Sequence, residues 1–213
     1  MSGAEEKISA ILSKLKARYP EEMKTSLSYS NPWELLVATI LSAQATDAQV
    51  DKATPKLFKK YPKPSNLAKL RPTQLYPYVK SINIYRNKSK NIIKAARMIE
   101  KEFGGKVPDT MDSLIKLPGV GRKTANVVMA NAFRKNNGIA IDTHCITVAN
   151  RLFIYNTQNP SKIEEKLMKI IPRKEWGNAT HLFIALGRDV CTARKAYCER
   201  CVLKKICPSS SFE

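Results

Sequence analysis

Apolar positions in this chain recur at intervals of three and four, the period of an α-helix buried on one side. Asn31-Pro32 opens the clearest case: a capping residue, then proline at the first helical position. Trp33, Leu36, Val37, Ile40 and Leu41 then fall on one face. Thr46 and Gln49, three apart, read as a capping box. Val50, Ala53, Leu57 and Phe58 continue that helix, and Pro55 is expected to kink or split it. Lys88 to Phe103 carries Ile92, Ile93, Ala96 and Ile99 on one side and stops at Gly104-Gly105. Asp109 with Asp112 predicts a short helix through Lys116. Arg122 to Phe133 reads as a buried helix and Thr143 to Leu152 as another. Ser161 with Glu164 predicts the cap of a further helix, and Glu175 to Val190 is the last long one. Strand patterning is nearly absent; Ile139-Ala140-Ile141 reads as a short extended piece without a partner. The expected class is all-α, built from about ten short helices, with Asn136-Asn137-Gly138 the best break between two lobes.

Composition narrows the partners. The 213 residues are 43% hydrophobic and 26% charged, which excludes a disordered or low-complexity chain. No apolar run approaches the roughly 18 residues of a membrane span. The start, Met1-Ser2-Gly3-Ala4-Glu5-Glu6-Lys7, lacks the basic and apolar regions of an export signal. An intracellular, cytoplasmic protein is expected, and the short N-terminus fits a prokaryotic cell better than an organelle. Lys and Arg number 37 against 18 Asp and Glu, a net charge of +19. Such an imbalance concentrates polyanions, and nucleic acid is favoured over a membrane surface or a ribosomal role.

Leu117-Pro118-Gly119-Val120-Gly121 lies between two predicted helices. Proline stops the first, and Gly119 and Gly121 are expected to take positive φ and let a partner approach closely. The second helix then begins with outward N–H groups, and Arg122 and Lys123 oppose its dipole unless an anion is present. A phosphate site is favoured over an ordinary tight turn. The residues alone read Lys123 as a phosphate-binding cation, with a neutral amine attacking a sugar carbon as the alternative. Asp142 precedes Thr143-His144-Cys145 and is expected to cap a helix. It would equally serve as a carboxylate that stabilises a cationic transition state or handles a proton. His144 and His181, the only histidines, have no ligand spacing and are read as structural or DNA-facing; Cys145 is read as a buried small hydrophobe.

The other four cysteines crowd the C-terminus as Cys191-x6-Cys198-x2-Cys201-x5-Cys207. An odd total in an intracellular chain argues against disulfides. One C-x2-C pair flanked by gaps of six and five is unlike a zinc knuckle and points to a [4Fe–4S] cluster. Arg194 and Lys195, inside the first gap, are expected to face DNA phosphates.

Leu117 to Asn126, Asp142-Thr143-His144, the cysteine spacing and Leu41-Ser42-Ala43-Gln44-Ala45-Thr46-Asp47 together resemble the endonuclease III family of helix-hairpin-helix DNA glycosylases over nearly the whole chain. The resemblance implies a six-helix barrel at 25–135, with the hairpin at about 109–133. It implies a second domain from 1–24 and 136–213 holding the cluster loop 191–207, with DNA bound in the cleft between the two. It implies a monomeric bifunctional enzyme of base excision repair that flips a damaged base, cleaves its N-glycosidic bond and breaks the strand by β-elimination. The substrates implied are oxidised or ring-saturated pyrimidines and abasic sites in double-stranded DNA. Lys123 matches the family's nucleophile and Asp142 its essential aspartate. Gln44 matches the residue that fills the gap left by the flipped base. Ile84, in Ser81-Ile82-Asn83-Ile84-Tyr85-Arg86, matches an apolar wedge that is usually leucine. Asn83 stands where the family often has glycine, and asparagine is expected to accept the left-handed backbone there. The alternatives are a mismatch-specific thymine or uracil glycosylase, which typically lacks this lysine, and a non-catalytic DNA-binding module.

Overall fold

The computed structural model describes residues 3–21, 24–153 and 155–211; Met1 and Ser2, part of the segment expected to carry no export signal, lie outside them. The chain divides into two compact units, 26–135 and the combination of 1–25 with 136–213. The described residues contain no strand beyond an isolated bridge between Cys191 and Ala196. The protein is all-α.

The contiguous unit is built around α2 (Pro32–Ser42). Its N-cap Asn31 accepts from the Glu34 N–H at 3.0 Å. Every residue from Trp33 to Leu41 is buried, so α2 is enclosed on all sides rather than on the single face its spacing suggested. Glu34 and Thr39 are satisfied locally: the Thr39 hydroxyl donates to Leu35 O at 2.7 Å, and Glu34 accepts from the Ser30 N–H at 2.8 Å. Around it pack α3 (Asp47–Lys60), α6 (Tyr85–Glu102) and α8 (Arg122–Ala132), with the short α4 (Pro64–Ala68), α5 (Tyr76–Val79) and α7 (Met111–Leu114) between them. The Thr46–Gln49 capping box opens α3 as expected. Pro55 does not split it: α3 runs unbroken to Lys60, because Val50, Ala53, Thr54 and Leu57 are buried on both sides of the proline. Helix α6 stops at Gly104 and Gly105, both at positive φ, and the Gly105 N–H closes on Ile99 O at 3.1 Å.

The second unit centres on α11 (Trp176–Asp189), packed with α1 (Gly3–Arg18) and α9 (Thr143–Phe153); α10 (Pro160–Ile170) packs on α1 and α9. Phe183 is fully buried among Ile8, Ile11, Leu15, Val148 and Leu182 of its core. Gly187 brings α11 and α9 close: a Cβ there would lie 2.8 Å from the His144 Cβ. The Ile139–Ile141 segment forms no strand; the Ala140 N–H donates to the Thr180 hydroxyl of α11 at 3.0 Å. The Ile8, Ile11, Leu12 and Leu15 spacing of α1 carried a helix signal that the expected elements omitted.

Two expected caps fall elsewhere. Thr110, not Asp109, accepts at the start of α7, while Asp109 pairs with Lys135. Helix α10 is capped by Asn159, which accepts from the Ser161 and Lys162 N–H groups at 2.9 and 3.3 Å, with Pro160 at the first helical position. The Asn-Pro pair that marked α2 therefore also marks α10. Asn159→Ala is expected to lose about 1 kcal/mol of stability with the fold intact, read as a lower urea midpoint at unchanged slope.

Candidate nucleic-acid interface and active site

The hairpin lies between α7 and α8. Leu117 to Val120 forms a tight turn: Pro118 at its second position, Gly119 at φ +84° and the Val120 N–H closing on Leu117 O at 3.0 Å. Leu117 and Val120 anchor it through side chains buried in the core. Gly119 is required twice over. Its φ disfavours any side chain, and a Cβ would sit 2.9 Å from the Asn91 Cβ of α6. Gly121 differs from expectation: it has φ −90° as the N-cap of α8, so its role is not conformational. A Cβ at 121 meets nothing within 4 Å, which leaves open space in front of the helix start. No side chain caps α8 there, and Arg122 and Lys123, both exposed, occupy its first turn.

Gln44 and Ile84 lie on two other turns of the same unit. Gln44, between α2 and α3, has φ +56°; Ile84, ahead of α6, has φ +58° and is 52% exposed. A left-handed backbone is uncommon for any residue with a Cβ and rarer for a β-branched one. The strain was expected at Asn83 and falls instead on Ile84. Asn83 uses its carboxamide differently, donating to Gln44 O at 3.0 Å. Lys88, in the first turn of α6, is buried and donates its ammonium to Leu41 O at 2.7 Å and to Ala43 O. Burial pushes its pKa below the usual lysine value. Neither tie carries a sequence signal, because both depend on side chains reaching some forty positions along the chain.

Asp142 and His144 belong to the other unit. Asp142 Oδ1 accepts from the Cys145 N–H at 2.9 Å, so it caps α9. His144 is half-buried against Gly187, and Cys145 is fully buried. The four C-terminal cysteines carry free thiols, and their sulfurs interact electrostatically. Among the described residues no three His, Cys, Asp or Glu groups close around a point where a single metal ion would sit. Four thiols are the donor set that a polynuclear sulfur-ligated cluster would need. The Arg151 guanidinium donates to Cys191 Sγ at 3.3 Å and the Leu203 N–H to Cys201 Sγ at 3.4 Å. The Ser211 backbone lowers the Cys198 thiol, while burial raises Cys201 and Cys207. N–H groups around cysteine sulfurs are the environment that stabilises such centres. Arg151 also donates to Thr192 O at 2.8 Å and Ala193 O at 3.4 Å, tying the same sulfur to the loop that exposes Arg194 and Lys195.

Comparison with known proteins defines the class first. Residues 37–173 match the family model of the HhH-GPD superfamily base excision DNA repair proteins. Endonuclease III of Synechocystis is 45% identical over 99% of this chain and 95% of its own. That of Escherichia coli is 41% identical over 92% of each. A solved endonuclease III trapped as a covalent intermediate with DNA superposes at a TM-score of 0.89 with 40% identity, covering 97% of this chain and 96% of that one. The chain belongs to the endonuclease III family of that superfamily. A thermostable thymine-DNA glycosylase, 23% identical at a TM-score of 0.85, shares the fold.

The two hairpin glycines are expected to respond oppositely. Gly119→Ala, strained in backbone and crowded by Asn91, should lose more than about 1 kcal/mol. Gly121→Ala should leave stability within about 0.5 kcal/mol. Thermal unfolding of both variants checks this; equal losses would remove the distinction.

Proposed function

We propose that the protein is a bifunctional DNA glycosylase and abasic-site lyase of base excision repair, acting on oxidised or ring-saturated pyrimidines in double-stranded DNA. The observation that carries it is Lys123: an exposed amine in the first turn of a helix with no side-chain cap, directly after a tight glycine turn. A relative trapped covalently with DNA supports a nucleophile in this fold.

The open start of α8, with Arg122, suits a backbone phosphate near the lesion, and Gly121 leaves room for it. Lys123 Nζ attacks C1′ of the flipped nucleotide. The glycosidic bond breaks, and the base leaves with its electron pair and takes a proton. The C1′–O4′ bond then opens, O4′ takes a proton and nitrogen gives one up, and the Schiff base so formed makes the C2′ hydrogen acidic. Its loss expels the 3′ phosphate by β-elimination, and water then releases the lysine. Asp142, whose carboxylate caps α9, stabilises the positive charge that develops on the sugar or moves a proton. Gln44 fills the gap in the duplex, and Ile84 parts the opposite strand. Cys191, Cys198, Cys201 and Cys207 would hold a [4Fe–4S] cluster, which supplies a structural centre for their loop, and Arg194 and Lys195 meet phosphates beside it. His144, two residues from Asp142, would contact the same strand. The relatives are bacterial, and the reading extends to a monomer working on DNA in the cytoplasm. No described helix is long and apolar enough to cross a membrane.

Borohydride added to the enzyme on an abasic duplex should yield a covalent adduct, absent in Lys123→Ala. Lack of an adduct with the unaltered protein would overturn the lyase assignment. Asp142→Asn, which still caps, should keep the wild-type melting temperature and lose most base release. Asp142→Ala should lose about 1 kcal/mol of stability as well. Duplexes carrying thymine glycol, an abasic site or a G·T mismatch, scored separately for base release and nicking, distinguish this reading from a mismatch glycosylase and from a binding module.

A further inference from the structure

The α2–α3 turn and the turn before α6 are not independent. Asn83 donates its carboxamide to Gln44 O at 3.0 Å, across 39 positions of sequence. Lys88, four residues on from Ile84, holds Leu41 O and Ala43 O. Gln44 and Ile84, on either side of this tie, are both at left-handed φ. Ile84 is also one of only two exposed large hydrophobics among the described residues. The Ile84 carbonyl accepts from the Asn87 and Lys88 N–H groups at 3.1 and 3.2 Å, which fixes it to the start of α6. A left-handed backbone is strained for a β-branched residue such as Ile84, and such strain persists only where surrounding contacts over-determine it.

Resting on the proposed glycosylase function, we propose that Asn83 is a positioning residue. Its side-chain bond to the Gln44 carbonyl locks the gap-filling turn to the wedge turn, so that Gln44 and Ile84 enter the duplex as one preformed unit. Glycine at this position, which the endonuclease III resemblance leads one to expect, has no side chain to make the bond. Asn83 touches neither the sugar nor the base being removed. It acts through the Gln44 backbone, and its effect belongs to base extrusion rather than to bond cleavage.

The experiment compares wild type with Asn83→Gly, which removes the donor, and Asn83→Asp, which replaces the donating amide by a second acceptor. Single-turnover base release is measured on a fully paired thymine-glycol duplex, and strand cleavage on an abasic site in an unpaired bulge, where little duplex has to be parted. A 2-aminopurine beside the lesion reports unstacking. Both variants should melt with wild type and cleave the bulged site at the wild-type rate. On the paired duplex they should be about tenfold slower, the scale of one lost hydrogen bond, with the fluorescence rise slowed in step. Wild-type rates for both variants on the paired duplex would overturn the inference alone, as would equal losses on both substrates. A wild-type protein that processes neither substrate would overturn the glycosylase reading itself.

Discussion

An α-helix leaves the N–H groups of its first turn and the carbonyls of its last without partners inside the helix. In an all-helical chain these ends are where backbone polarity is either closed by protein or offered to something else. Here Asn31, Thr46, Thr110, Asp142 and Asn159 close the starts of α2, α3, α7, α9 and α10. The Lys88 ammonium closes the end of α2, and a cation is the favourable sign there. Helix α8 is the contrast. It starts at a glycine with no capping side chain and has two basic residues in its first turn, the unfavourable sign for its dipole. A bound phosphate would reverse that sign, and this is the physical ground on which the phosphate role proposed for this helix start rests.

Stability and proposed function draw on different residues. Each unit has its own apolar core, and neither contains Gln44, Ile84, Arg122, Lys123, Arg194 or Lys195. The link between core and surface runs through a few polar anchors, one buried and one half-buried. Lys88 joins α6 to the end of α2, and Arg151 joins a cysteine sulfur to the carbonyls of the basic loop. The loop is further braced by the Thr192 hydroxyl, which donates to Lys195 O and accepts from the Lys195 N–H. Cations on a free loop would lose conformational entropy on binding any partner; on a braced loop much of that loss has already occurred.

Much of this was legible in the sequence because it is local. Asn31-Pro32, Thr46 with Gln49 and Gly104-Gly105 place helix ends through contacts within a few residues. The hairpin and the cysteine spacing are equally compact. What escaped depends on distant packing. Helix α2 has an amphipathic spacing yet is enclosed on every side, because α3, α6 and α8 surround it. Pro55 is tolerated because tertiary burial outweighs its missing hydrogen bond. Asp109 offered the same capping chemistry as Thr110 and was drawn to Lys135 instead. At Gly121 residue type suggested a backbone need, while the structure has an ordinary φ with empty space. The positive φ at Ile84 runs against local preference, and only the surrounding contacts explain it.

That exception bears on how damage would be found. A net charge of +19 attracts all DNA alike, since phosphate contacts carry no information about the base. Discrimination must then arise where the duplex is opened, a step costing a few kcal/mol and less at a poorly stacked lesion. Ordering a flexible loop would add about 1–2 kcal/mol per residue to that cost, enough to mask the difference between a sound base and a damaged one. Two turns already fixed at strained φ, and bonded to each other, add little of this. Their strain is met once, on folding, by the core beneath them. On the roles proposed for Gln44 and Ile84, the energy of opening the duplex is set mainly by the DNA, and the stacking defect of the lesion is the quantity that is read.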